Sequence, residues 1–324
     1  MSAIGRANIT ARTHPLGHAL PARRVRVHVG LMATSSPPLI FDRPLSRARL
    51  ARAIARCAPD FLMQRAAEDL EDRLASIRRE FPRALDLATP TEHFAKVLAA
   101  GGRPNTLRAV ALMPAVETGA KIVVDEEALP FAPESFDLIV SGMALHWVND
   151  LPGVFAQARR CLAPDGLFLA CMAGGASLIE LRGALARAED EILGGASPRV
   201  SPFVDVRDLG GLLQRAGFAL PVTDADAFTL RYDSMFALCD ELRAMGAANA
   251  LTARSRKPLR RSVFLRAAEI YAENFSDPDG RVRASFEIVW LSGWAPHESQ
   301  QKPLKPGSAQ MRLADALKAG RGES

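Results

Sequence analysis

Between residues 83 and 173 short apolar runs alternate with amphipathic patterns of helical period. "RALDLA", "TLRAVALM", "KIVVDEE", "FDLIVSGMAL" and "LFLACMAGG" read as strands, and "TEHFAKVLAA" and "DLPGVFAQARRCLAPDG" read as the helices between them. In the first of these helices Phe94, Val97 and Leu98 recur at helical spacing, and Gly101 and Gly102 stop it. Strands that alternate with helices predict a parallel sheet in a doubly wound α/β domain. The ligand site of such a domain lies at the carboxyl ends of its strands.

Upstream, "SRARLARAIARCAP" and "DFLMQRAAEDLEDRLASIRREF" predict two amphipathic helices parted at Pro59, with Asp60 placed to cap the second. Downstream, "SLIELRGALARAEDEI", "DVRDLGGLLQRAGF", "SMFALCDELRAMGAANAL" and "KPLRRSVFLRAAEIYAENF" predict four more helices, and "GRVRASFEIVWLSGWAP" is the clearest late strand. No period of a solenoid repeat is present. The expected plan is a leader over 1–36, N-terminal helices over 37–82 and a main domain over 83–296. That domain comprises a ligand-binding core (83–175), accessory helices (177–275) and a final strand (281–296), followed by a polar, proline-containing tail over 297–324.

Composition sharpens this picture in three places. The formal charge of +5 over 324 residues is carried by Arg6, Arg12, Arg23, Arg24 and Arg26, in a stretch without an acid, so the rest of the chain is formally neutral. A nucleic-acid enzyme would spread its basic residues over the folded domain, so nucleic acid is not an expected partner. The same acid-free, arginine-rich leader has the composition of a mitochondrial presequence. It also suits a disordered bacterial leader, with Met32 as a second start, and two compartments stay open: the bacterial cytoplasm, or the mitochondrial matrix in a eukaryote. Cys57, Cys161, Cys171 and Cys239 are scattered in apolar segments without ligand spacing, which predicts reduced thiols and no metal site. No apolar run reaches the roughly 18 residues of a membrane span.

Several segments then converge. "LDLATPTEHFAKVLA", "VVDEEALPFAPESFDLIVSGMALHWVNDLPGVFAQARRCLAPDGLFLA" and "LLQRAGF" stand in the order and spacing of class I S-adenosylmethionine-dependent methyltransferases, which the chain resembles. "PLIFDRPLSRARLARA", "SLIELRGALARAEDEILGGASPRVSPFVDVRDLGGLLQRAGFALPVTD" and "LCDELRAMGAANAL" are similar to the methyltransferase-fold assembly factors of respiratory complex I and their alphaproteobacterial relatives. Malonyl-carrier-protein methyltransferases are more distant cousins. The resemblance implies a Rossmann-like fold with a seven-stranded, mostly parallel sheet whose late strand runs antiparallel. It also implies S-adenosyl-L-methionine as cofactor and a protein substrate or assembly partner.

Residue by residue, the resemblance gives a mixed donor site. Asp86 fills the acidic place after the first strand, while Ala88, Pro90 and Glu92 stand where the family has glycines. Ala88 is a mild change. Pro90 removes an amide and fixes φ, and Glu92 sets a carboxylate where the donor's own carboxylate approaches. The second strand ends at Met113 without the ribose-binding acid, the nearest being Glu117. Asp125 and Glu126 match the adenine end, Ser141 and Met143 the donor wall, and His146, Trp147 and Asn149 the acceptor pocket. His146 is the candidate base if the acceptor needs one. With these losses S-adenosylmethionine is expected to bind weakly, and two activities stay open: a transferase acting on a protein acceptor, or a non-catalytic scaffold. In a mitochondrial relative the fold is linked to arginine hydroxylation, so methylation does not follow from fold.

Overall fold

The computed structural model describes residues 39–56, 58–110 and 121–301. The predicted leader, the end of the second strand with Met113 and Glu117, Cys57, and most of the C-terminal tail lie outside the described residues.

Two helices, α1 (Arg43–Ala55) and α2 (Phe61–Ala75), precede the alternating core. There follow β1 (Ala84–Leu87), α3 (His93–Ala100), β2 (Leu107–Val110), β3 (Lys121–Val123), β4 (Phe136–Gly142), α4 (Leu151–Cys161) and β5 (Leu162–Ala173). The second half adds α5 (Ile179–Leu193), α6 (Val206–Arg215), β6 (Ala219–Tyr232), α7 (Met235–Ala244), α8 (Arg261–Phe275) and β7 (Val282–Trp294). Seven strands form one sheet in the order β3-β2-β1-β4-β5-β7-β6. The pairs from β3 to β5 are parallel, and β7 runs antiparallel to both β5 and β6. Both the seven-stranded sheet and the reversed late strand agree with what the resemblance implies.

Period-two alternation sorts the central strands onto two faces. Leu85, Leu87, Ile139, Phe168 and Ala170 join α4 and α6 in one core. Leu138, Val140, Leu167 and Leu169 point the other way, against α2 and α3. Their burial is nearly complete, and each such leucine or isoleucine contributes about 1.5–3 kcal/mol by leaving water. A third core gathers α5, α7 and α8 around the first half of β7, including Val263, Tyr271 and Ala284.

Two local expectations change. Asp60 does occupy the cap position of α2, but its side chain makes no capping bond and pairs instead with His93 Nε2 at 3.2 Å. β6 was not singled out as a strand by the residue pattern. Its half-buried positions are odd-numbered up to Thr223 and even-numbered from Asp226, so the alternation changes face partway along.

Candidate functional site

β1 ends in Asp86 and Leu87, and the chain then turns through Ala88 with φ at 60°, a left-handed conformation that glycine adopts without cost. The alanine here is therefore strained, not mild. Its amide still donates to the Ala109 carbonyl at 2.7 Å, which extends the β1–β2 ladder by one bond. Thr89 then ties the turn to β4, its hydroxyl accepting from the Gly142 amide at 2.9 Å. Gly142 is required at that spot, because a Cβ would stand 2.7 Å from the Phe94 ring.

What closes this turn is Arg108, which stands opposite Asp86 in the β1–β2 register. Its Nε lies 3.3 Å from Asp86 Oδ2, its Nη2 donates to the Thr91 carbonyl at 2.7 Å, and its Nη1 is 3.8 Å from Glu92 Oε1. The carboxylate that Glu92 brings to the turn faces the Arg108 guanidinium. Burial pushes the Asp86 carboxyl up to about 6, against the pull of Thr89 and Arg108. Asp86 Oδ1 and Ser141 Oγ, at the ends of adjacent strands, are buried without a hydrogen-bond partner.

The acidic loop after β3 faces α1. Arg43 binds both Asp125 and Glu126, at 2.9 Å from the latter, and also reaches Glu127. Arg47 adds a contact of 2.8 Å to Glu126. Burial raises the Asp125 carboxyl, but the Arg43 hydrogen bond and its neighbours outweigh this and hold it below the usual range. Glu127 also receives the backbone amides of Asn149 and Asp150. The Asn149 side chain accepts from the Phe41 amide at 2.7 Å and donates to the Phe41 carbonyl at 3.1 Å. Asn149 is thus a clasp on the segment before α1 and does not line the pocket expected for it.

Met143, His146 and Trp147 do come together, in the wall of a cavity of about 260 Å³. Met143 leaves β4 with φ at 48°, its amide held by the Cys171 carbonyl at 2.9 Å, and a single 3-10 turn (Leu145–Trp147) follows. The His146 ring sits 5.2 Å from Trp147 and 6.0 Å from Phe203, and Trp147 meets Phe41 edge-on at 5.5 Å. Burial lowers His146 to about 4, and its Nδ1 has no partner, so the imidazole is neutral at pH 7 and a weak base. Opposite walls come from α5, α7 and α8 through Leu181, Leu185, Leu242 and Phe264. Glu287 of β7 is the one carboxylate among the described lining residues.

Sequence reasoning missed Arg108, Arg43 and this far wall. Arg108 gives no local signal, because only strand register sets it beside Asp86. Arg43 could have been noticed as a basic residue next to a helix start, but its partners lie 82 to 84 residues away.

The strand order, the reversed β7 and a site at the carboxyl ends of β1 and β4 define a class I methyltransferase fold. The chain belongs to the methyltransferase-domain family, whose model matches residues 60–221. It is 36% identical over 299 residues to the protein named arginine-hydroxylase NDUFAF5, mitochondrial, of Danio rerio, covering 88% of this chain and 92% of that one. To the Homo sapiens protein of the same name it is 37% identical over 323 residues, 96% of this chain and 89% of that one. To the malonyl-[acyl-carrier protein] O-methyltransferase of Halorhodospira halophila it is 32% identical over 261 residues, 77% of this chain and 86% of that one.

Proposed function

We propose that this chain acts on a protein acceptor in the assembly of respiratory complex I or a closely related process. The observation that carries this reading is the apolar cavity beyond β4, where Met143, His146 and Trp147 face Leu181, Leu185, Leu242 and Phe264 of α5, α7 and α8. A buried, mostly apolar space of this kind takes a side chain and excludes water from it. Similarity across nearly the whole chain to proteins named arginine-hydroxylase supports a side-chain acceptor. For an arginine acceptor, Glu287 is the carboxylate that would meet the guanidinium.

S-adenosylmethionine is the donor we infer from the family, held weakly. The side chains do not fit it as they stand: Asp125 and Glu126 carry Arg43 and Arg47, and Arg108 occupies the first turn. The donor's place and these ion pairs compete, so its affinity is reduced by the free energy of displacing them. The compartment follows the host, bacterial cytoplasm or mitochondrial matrix. Among the described residues no helix is long and apolar enough to cross a membrane.

The test is genetic. Removing the gene from its host should deplete assembled complex I on native gels while other respiratory complexes stay near their normal level, and the wild-type gene should restore it. Complex I at full level without the gene would end this reading.

A further inference from the structure

A second cavity, of about 480 Å³, adjoins the apolar one and shares Arg199, Asn249 and Leu259 with it. Its walls carry Arg49, Arg199, Arg254, Arg256 and Lys257 and no carboxylate among the described residues. Two acids reach these cations from outside: Asp42 pairs with Arg254 at 2.9 Å, and Glu189 pairs with Arg199. Arg49 has no acid. Among the described residues it donates to the carbonyls of Ala248 and Asn249, at 2.9 and 2.5 Å, which fixes the guanidinium in place without neutralising it. Arg256 lies near enough to Asp42 to lower its carboxyl but forms no ion pair with it, and Lys257 forms none among the described residues. Burial lowers the pKa of Arg49, and the neighbouring Arg254 and Arg52 lower it further against the opposing pull of Asp42, so cations outweigh acids around it.

Uncompensated cations held by backbone carbonyls are costly unless an anion completes the site. We propose that this basic cavity is an oxyanion site that anchors an anionic group of the acceptor while the adjoining apolar cavity takes the acceptor's apolar part. The ligand class is a carboxylate or phosphate borne by the acceptor protein beside the side chain that enters the apolar cavity, and alkyl phosphates and carboxylates stand in for that combination. No residue of the donor or catalytic machinery is involved. The proposal rests on reading the apolar cavity as the acceptor pocket, and two probes keep the ideas separable.

The full chain is titrated calorimetrically with inorganic phosphate, which reports the basic cavity alone, and with decyl phosphate and decanoate, which report both cavities together. Decyl phosphate should bind more tightly than inorganic phosphate, and its affinity should fall as salt rises, as expected for partly exposed charges. The exposed pair Arg256→Gln with Lys257→Gln should weaken all three probes about tenfold without changing the melting temperature. Leu242→Trp should weaken the two chain-bearing probes and leave inorganic phosphate unchanged. Tighter binding of decyl phosphate than decanoate assigns the site to phosphate esters, and tighter binding of decanoate assigns it to carboxylates. Equal affinity of wild type and the double variant for inorganic phosphate overturns the oxyanion site. An unchanged decyl phosphate affinity in Leu242→Trp overturns its link to the apolar cavity.

Discussion

Arg108 stands in register with Asp86 across β1 and β2, and its guanidinium spans that carboxylate, the Thr91 carbonyl and the Glu92 side chain. Both charges are almost wholly buried. Removing one member of such a pair costs more than the pair contributes, because the other charge is left in a poorly solvating interior. Asp86 titrates higher in the fold than in the unfolded chain, about 6 against 3.8. The stability it contributes is therefore complete below about 3.8 and is lost as pH rises through about 6. Arg108→Met should then cost on the order of 3 kcal/mol at pH 7.5, where Asp86 would be a stranded anion, and about 1 kcal/mol at pH 4.5, where it carries a proton. Urea unfolding at the two pH values measures this, and an equal loss at both would sink the account. Asp86 was legible because it closes a recognisable strand-turn pattern. Arg108 was not, since strand register joins residues 22 apart and leaves no trace in either local pattern.

At the scale of elements, α1 is held to the core by charge more than by apolar burial. Ala53 is its one fully buried residue, whereas Arg43 and Arg47 gather Asp125, Glu126 and Glu127, and Asn149 grips Phe41 just before the helix. Arg43→Ala leaves Glu126 buried with Arg47 alone, a loss of about 1–3 kcal/mol that falls on this contact and not on the sheet. Amide exchange over α1 should quicken roughly ten- to hundredfold while β4 and β5 keep their protection. S-adenosylmethionine, titrated by calorimetry, should bind the variant more tightly than the wild type, because Asp125 then keeps only the 3.3 Å contact to Arg47. Weaker binding in the variant would show that Arg43 helps to hold the donor. The helices were legible from their period, α5 and α8 above all. β6 was not: its half-buried face switches near Asp224, and its Asp224 and Asp226 are matched by Arg73 and Arg65 on α2, far off in sequence.

Across the whole molecule two different cores meet near the end of β4. The turn after β1 belongs to the core of α4 and α6, through Leu87 and Ala88, whereas the apolar cavity is walled by the core of α5, α7 and α8, through Leu181 and Leu185. A change confined to the second core should leave the first intact. Leu185→Phe tests both the emptiness of the cavity and its use. In a filled core the extra ring atoms would force off-rotamer packing at a cost of about 1–3 kcal/mol. Here a void of about 260 Å³ lies against the Leu185 side chain, so the loss should be small, under about 1 kcal/mol. The same variant should nevertheless fail to restore complex I in a host that lacks the gene, because the phenylalanine takes the space the acceptor side chain needs. A folded Leu185→Phe protein that restores complex I fully would place the acceptor somewhere other than this cavity.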